Sequence, residues 1–273
     1  MKKNILLSIL VLSTFFKAYT QNKYPVNTLS VSAGPSFPVG HYAGKNLEDE
    51  KAGLAGPGEQ INISFEHKLN KTIGIAAVLY GTRNPVNTTS IEKQLDGEKF
   101  IDGFALTTGP GQPIPGAAYI TYPNWKMDKK SWLSAALLAG PSIDIPFSTA
   151  TTNFSFTAKA MIGVMYASSP KLQGKSNTDT VIAQITQNSA SAFAFSYLLG
   201  AGIQYNKCKH ISIHAGIDYL AAPRVTFKDA TASFAVIKYP GSLNVAESYS
   251  SITTTAKQPV AVMNLTIGIG IKL

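Results

Sequence analysis

Cysteine is nearly absent from this chain. Cys208 is the only one, so no intrachain disulfide can form and no cysteine cluster can hold a metal. Charge is scarce as well: Asp, Glu, Lys and Arg make up 14% of the residues, against about a quarter in ordinary soluble domains. A water-soluble all-β protein needs charge to cover its outside, and this sequence has little of it. Histidine occurs four times, at His41, His67, His210 and His214, with no HExxH spacing. No phosphate-cradling loop and no nucleophile elbow is present, so nothing implies a metal or other cofactor. The formal charge is +9, yet no Lys/Arg block interleaved with aromatics points to nucleic acid. Removing Lys2, Lys3 and Lys17 with an N-terminal leader leaves about +6, scattered in a way that suits anionic lipid head groups. Also missing is any apolar run of the roughly 20 residues that a membrane-crossing helix takes.

What is present is alternation. From Met263 to Leu273 large apolar residues occupy every odd position, and Asn264, Thr266, Gly268, Gly270 and Lys272 fill the even ones. A period of two is the strand signature, and about 9–11 such residues cross a bilayer as one tilted barrel strand. The other end of the chain carries a secretory pattern: Lys2 and Lys3, the apolar run Ile5 to Phe16, then Ala18-Tyr-Thr20. We expect residues 1–20 to be a signal peptide and residues 21–273 to form one outer-membrane domain.

Eight segments read as strands: Leu29–Val39, Gln60–Leu69, Thr72–Arg83, Ser131–Ile145, Asn153–Ala167, Ala192–Tyr205, His210–Leu220 and Pro259–Leu273. Three links between them are short (Asn70-Lys71, Pro146 to Thr152, Asn206 to Lys209), and four are long (Gly40 to Glu59, Asn84 to Lys130, Ser168 to Ser191, Ala221 to Gln258). Short and long alternate strictly. That rhythm implies an all-β fold: an eight-stranded antiparallel transmembrane β-barrel with short periplasmic turns and long extracellular loops. Within the second long link, Ile91 to Phe100 suits a short helical turn, whereas Gly103 to Pro123, with Gly109-Pro-Gly and Pro113-Ile-Pro-Gly, excludes a regular helix.

Leu29 to Gly40, Gln60 to Ala77, Leu138-Ala-Gly-Pro141 and Leu198 to Tyr219 resemble the small outer-membrane β-barrel proteins of Bacteroidota. Ala33-Gly-Pro-Ser-Phe-Pro-Val-Gly40 and Gly200-Ala-Gly-Ile-Gln-Tyr205 carry most of the likeness, which follows strand order over nearly all of the chain after the leader. The chain departs from the pattern at Leu273, where such barrels usually finish on an aromatic residue. The resemblance implies location and architecture, with outer-membrane lipid, lipopolysaccharide and the barrel-assembly machinery as partners. It implies no shared activity.

With the odd apolar positions facing lipid, the inside carries Asn62, Ser64, Glu66, Lys159, Gln204, His214, Asp218, Asn264 and Thr266. An eight-stranded barrel is just wide enough for side chains to fill it, so Glu66 is expected to pair with Lys159 and His214 with Asp218 in a polar core. The run His210, Ser212, His214, Asp218 invites a catalytic triad, but His214 and Asp218 lie about 13 Å apart along one strand. Tyr80, Trp132, Tyr166, Tyr197, Tyr205 and Tyr219 are expected to form interfacial girdles. Tyr119, Tyr122 and Trp125 with Lys126 form a candidate contact in an outside loop, and a loop packing on itself explains the same cluster equally well. The function expected is a non-enzymatic surface or envelope scaffold that meets an extracellular or envelope partner through its loops. The alternatives are passage of a small or hydrophobic solute, and a soluble secreted barrel holding an apolar ligand.

Overall fold

The computed structural model describes residues 27–47, 49–97, 100–101, 119–120, 122–149, 152–177, 181–206, 210–238 and 246–273. The proposed leader and Cys208 lie outside them. In chain order the elements are β1 (Asn27–Pro38), β2 (Gly58–Lys68), β3 (Ile73–Pro85), α1 (Thr88–Gly97), β4 (Phe100–Ile101), β5 (Tyr119–Ile120), β6 (Lys126–Met127), β7 (Ser131–Thr149), β8 (Thr152–Ser168), β9 (Leu172–Asn177), β10 (Val181–Gln187), β11 (Ser191–Asn206), β12 (Ile211–Lys238) and β13 (Ala246–Lys272).

Eight of these strands close a ring in the order β1, β2, β3, β7, β8, β11, β12, β13, every pair antiparallel. Turn chemistry helps to set the register. Between β2 and β3 the Asn70 carboxamide oxygen accepts from the backbone N–H groups of Thr72 (2.8 Å) and Ile73 (2.7 Å), the local bonding that makes Asn a turn residue. A second short hairpin is tighter than the sequence suggests: β7 and β8 stay paired through Phe147 with Phe154 and Thr149 with Thr152.

Polarity is inverted relative to a soluble barrel. Leu29, Val31, Ile61, Ile63, Ile75, Leu79, Leu137, Ile162, Phe195, Ile213, Ile217, Ile267 and Ile269 point outward and are exposed. Their sequence neighbours Ser30, Ser32, Asn62, Asp218, Asn264 and Thr266 are buried inside. Along β13 the outward apolar positions run from Met263 to Ile271, which at the usual rise and tilt makes a band of roughly 20 Å. That inside-out arrangement is the fold of a transmembrane β-barrel.

Three expectations need correcting. The long link from Ala221 to Gln258 is mostly strand: β12 and β13 remain paired from Ala221 with Ala261 up to Lys238 with Ala246. Pro223 and Pro259 both fall where the register shifts between Ala222 and Val225, and a bulge is where a sheet tolerates proline. Beyond the rim, β10 adds to β12, β9 to β10, and β6 to β9, so the barrel wall continues as a small sheet. Second, the helical turn expected at Ile91 to Phe100 is α1, three residues earlier. It starts where the Asn87 side chain accepts from Ser90 N–H (3.1 Å), an N-cap bond, and it buries Ile91 and Leu95. Third, Tyr80 and Trp132 belong to no girdle; both point inward and are buried. Tyr166 and Tyr205 do face outward beside Phe193 and Phe154, with ring centroids 5.2 and 5.0 Å apart.

Candidate functional site

The interior has two halves. Toward the short turns, the inward positions of all eight staves are small or polar and surround a chamber of about 100 Å³. Ser64, Thr266, Gln204 and His214 line it together with Glu66, Asp144, Lys159 and Asp218. Its size admits a few waters and falls well short of the roughly 300 Å³ at which drug-sized ligand pockets begin. Toward the long loops, Val78, Leu138, Met161, Met165, Leu198, Leu220, Val260 and Val262 pack as a buried apolar plug. Above them Trp132 donates its indole N–H to Gly53 carbonyl (2.8 Å) and meets Tyr42 and Phe227 with centroids 5.5 and 5.9 Å away. The lumen is therefore crossed by an apolar layer, with Gln60, Thr82, Asn84 and Ser134 buried on its loop side, where a polar core throughout was expected.

The ion pairs differ from those expected. Lys159 pairs with Asp218 (3.0 Å), not with Glu66. The Tyr80 hydroxyl donates to the same Asp218 carboxylate at 3.0 Å. Glu66 accepts from Ser142 Oγ (2.7 Å), and Lys68 pairs with Asp144 beside it. His214 Nε2 meets Ser32 Oγ at 2.7 Å instead of Asp218. Asn62 donates to Gln60 Oε1 (3.2 Å), and Gln204 donates to Asn206 Oδ1 (2.9 Å). Asn264 is wholly buried at the junction of chamber and plug.

Glycine placement explains who meets whom. Gly200 stands in register between Lys159 on β8 and Asp218 on β12, Gly268 between His214 on β12 and Ser32 on β1. On β3, Gly74 leaves the space in which Glu66 reaches Ser142. At each of the three the partners meet across a strand that contributes no side chain. A Cβ at Gly200 would lie 2.2 Å from Asp218 Oδ1 and 2.4 Å from Lys159 Cε. Gly200→Ala is therefore expected to cost about 1–3 kcal/mol through overpacking, read as a lower urea midpoint for loss of the unheated gel mobility. An unchanged midpoint would show that the pair reorganises freely.

Residues that invited a triad are held apart. Ser212 Oγ donates to Gly270 carbonyl (3.5 Å), while His214 and Asp218 keep the separate partners given above. The proposed loop contact is also rearranged. Tyr122 and Trp125 are buried, Tyr122 with its ring 6.0 Å from Phe234 and Trp125 with its backbone N–H donating to Asp96 Oδ1 (2.9 Å). Lys126 stays exposed in β6. Tyr119 is placed in β5, its side chain outside the described residues. What the long-loop end presents instead is a polar rim near His41, Asp49 and Lys51. The Lys51 backbone N–H (2.9 Å) and then His41 (3.0 Å) hold the Asp49 carboxyl below the usual range.

Sequence reasoning missed Tyr80, Ser142, Asp144, Lys68 and Ser32 as interior partners. Their signal was parity alone, since each falls on the inward position of its strand.

No protein-family model matches the chain, and no curated protein matches it. Among solved structures it is similar to the attachment invasion locus protein Ail of Yersinia pestis, with 14% identity, 91% of this chain and 98% of that one covered, and a TM-score of 0.40. Neisserial surface protein A gives 11% identity, coverage of 90% and 97%, and a TM-score of 0.39. A major outer membrane protein of Thermus thermophilus gives 14% identity, coverage of 90% and 98%, and a TM-score of 0.38. Likenesses at this level concern overall shape and carry no argument about activity.

Proposed function

We infer that this protein is an outer-membrane barrel whose work is done at its long-loop end, as a surface scaffold or interaction protein without enzymatic activity. The observation that carries this reading is the apolar plug. Val78, Leu138, Met165, Leu198, Leu220 and Val260 are buried across the bore, so a solute leaving the polar chamber has no continuous path. The exposed apolar belt supports placement in a bilayer, with the short turns toward the periplasm and the loops outside. The reading as a soluble carrier would need a polar outside and an oily cavity, the reverse of the polarity here. Lipopolysaccharide and the assembly machinery fit as envelope partners, and the capped loop end fits a further partner outside the cell.

Planar-bilayer recording on the refolded full chain tests this. No stepwise conductance is expected. Regular single-channel steps would overturn the scaffold reading in favour of solute passage.

A further inference from the structure

Small residues interrupt the apolar belt near its long-loop edge. Sheet register aligns Ala33 of β1, Ile61 of β2, Gly81 of β3, Ala135 of β7 and Tyr166 of β8 in a single outward row. On β3 and β7 the row holds only Gly81 and Ala135, side by side, where neighbouring rows carry Leu79, Leu137 and Leu133. The result is a groove of about 600 Å³ on the outer wall, floored by the two small residues and walled by Ile61, Leu133 and Tyr166. It lies near the long-loop end of the belt. Arg83, two residues beyond Gly81 and so on the same face, stands at its loop-side lip with Glu59.

We propose that this groove is a binding site for one acyl chain of a phosphate-bearing lipid of the outer leaflet, with Arg83 holding the phosphate. The inference rests on the membrane reading above. Three observations choose the occupant. The groove is continuous with the lipid-facing belt, so hydrocarbon already surrounds it, and a chain filling it restores the contacts that two missing side chains leave open. Its loop-side lip is where lipid head groups begin. The cation there is available: Arg83 reaches Glu59 at only 3.4 Å, with 63% and 71% of the two side chains exposed, and such surface pairs hold little energy. A guanidinium has five donors, so it can take a phosphate bidentately and keep Glu59 as a neighbour.

Filling the groove need not disturb the barrel. A Cβ at Gly81 would come no nearer than 3.6 Å to Ile61 Cγ2, ordinary contact, and would point outward. The test uses the full chain refolded in detergent with bisphosphorylated lipid A or its dephosphorylated counterpart, and counts bound lipid by native mass spectrometry. The wild type is expected to retain one phosphorylated lipid. Gly81→Leu should bind either lipid roughly tenfold more weakly, and Arg83→Gln should lose a roughly tenfold preference for the phosphorylated form while still binding both. Equal binding by all three proteins, or no stoichiometric lipid on the wild type, would overturn the proposal. Each protein is also run unheated and boiled. A wild type with no heat-dependent mobility and no recovery in membranes would overturn the membrane reading itself, a result distinct from an inserted barrel without lipid preference.

Discussion

Ile63→Arg should destabilise the membrane-inserted barrel by about 2–4 kcal/mol, the cost of a cation near the bilayer midplane. Ile63 is outward and exposed in the middle of β2. Its row runs through Val31, Leu79, Leu137 and Val164, all exposed and apolar. In water the same substitution at an exposed strand position would be nearly neutral, so the sign of the result reports the solvent around the belt. Ser64→Ala on the adjacent inward position is the control, and is expected to change stability by no more than about 1 kcal/mol. Urea titrations in lipid vesicles, followed by gel mobility of unheated samples, read both variants. An Ile63→Arg barrel as stable as the wild type would remove lipid from this face.

Strands were legible because a stave between lipid and a polar chamber must alternate, and the segment Met263 to Leu273 does so without a break. The inward parity of Asn62, Glu66, His214 and Asp218 followed from the same count. Partners did not follow, because they depend on register between strands far apart in sequence. Lys159 finds Asp218 only because Gly200 lies level with both. The plug left a trace that alternation alone overlooks: Leu137-Leu138, Leu198-Leu199 and Tyr219-Leu220 are apolar at both parities, as strands buried on two faces are. Ile162 beside Met161 reads the same way. The extension of β12 and β13 above the rim stayed hidden behind Pro223 and Pro259, whose bulge is visible only once the two strands are paired. The burial of Tyr122 and Trp125 was not legible locally, because it depends on β6 pairing with β9 and on Phe234 of β12, both distant in sequence.

Asp218→Leu should cost more than any other interior substitution, about 3–5 kcal/mol, because it strands the Lys159 ammonium. The carboxylate is almost fully buried (2% exposed) and receives both Lys159 and the Tyr80 hydroxyl. Removing it takes from the Lys159 ammonium and the Tyr80 hydroxyl the carboxylate they share. The double variant Lys159→Met with Asp218→Leu should recover most of the loss, since replacing a buried pair with apolar side chains of similar volume is often neutral. A double-mutant cycle in urea, with Lys159→Met as the fourth corner, isolates the coupling. Lys159 keeps 27% exposure toward the chamber, which sets the competing outcome. If chamber water solvates the orphaned ammonium, Asp218→Leu will cost under about 1 kcal/mol and the cycle will show no coupling. The pair would then be an incidental neighbour of the chamber rather than the tie between β8 and β12 across Gly200.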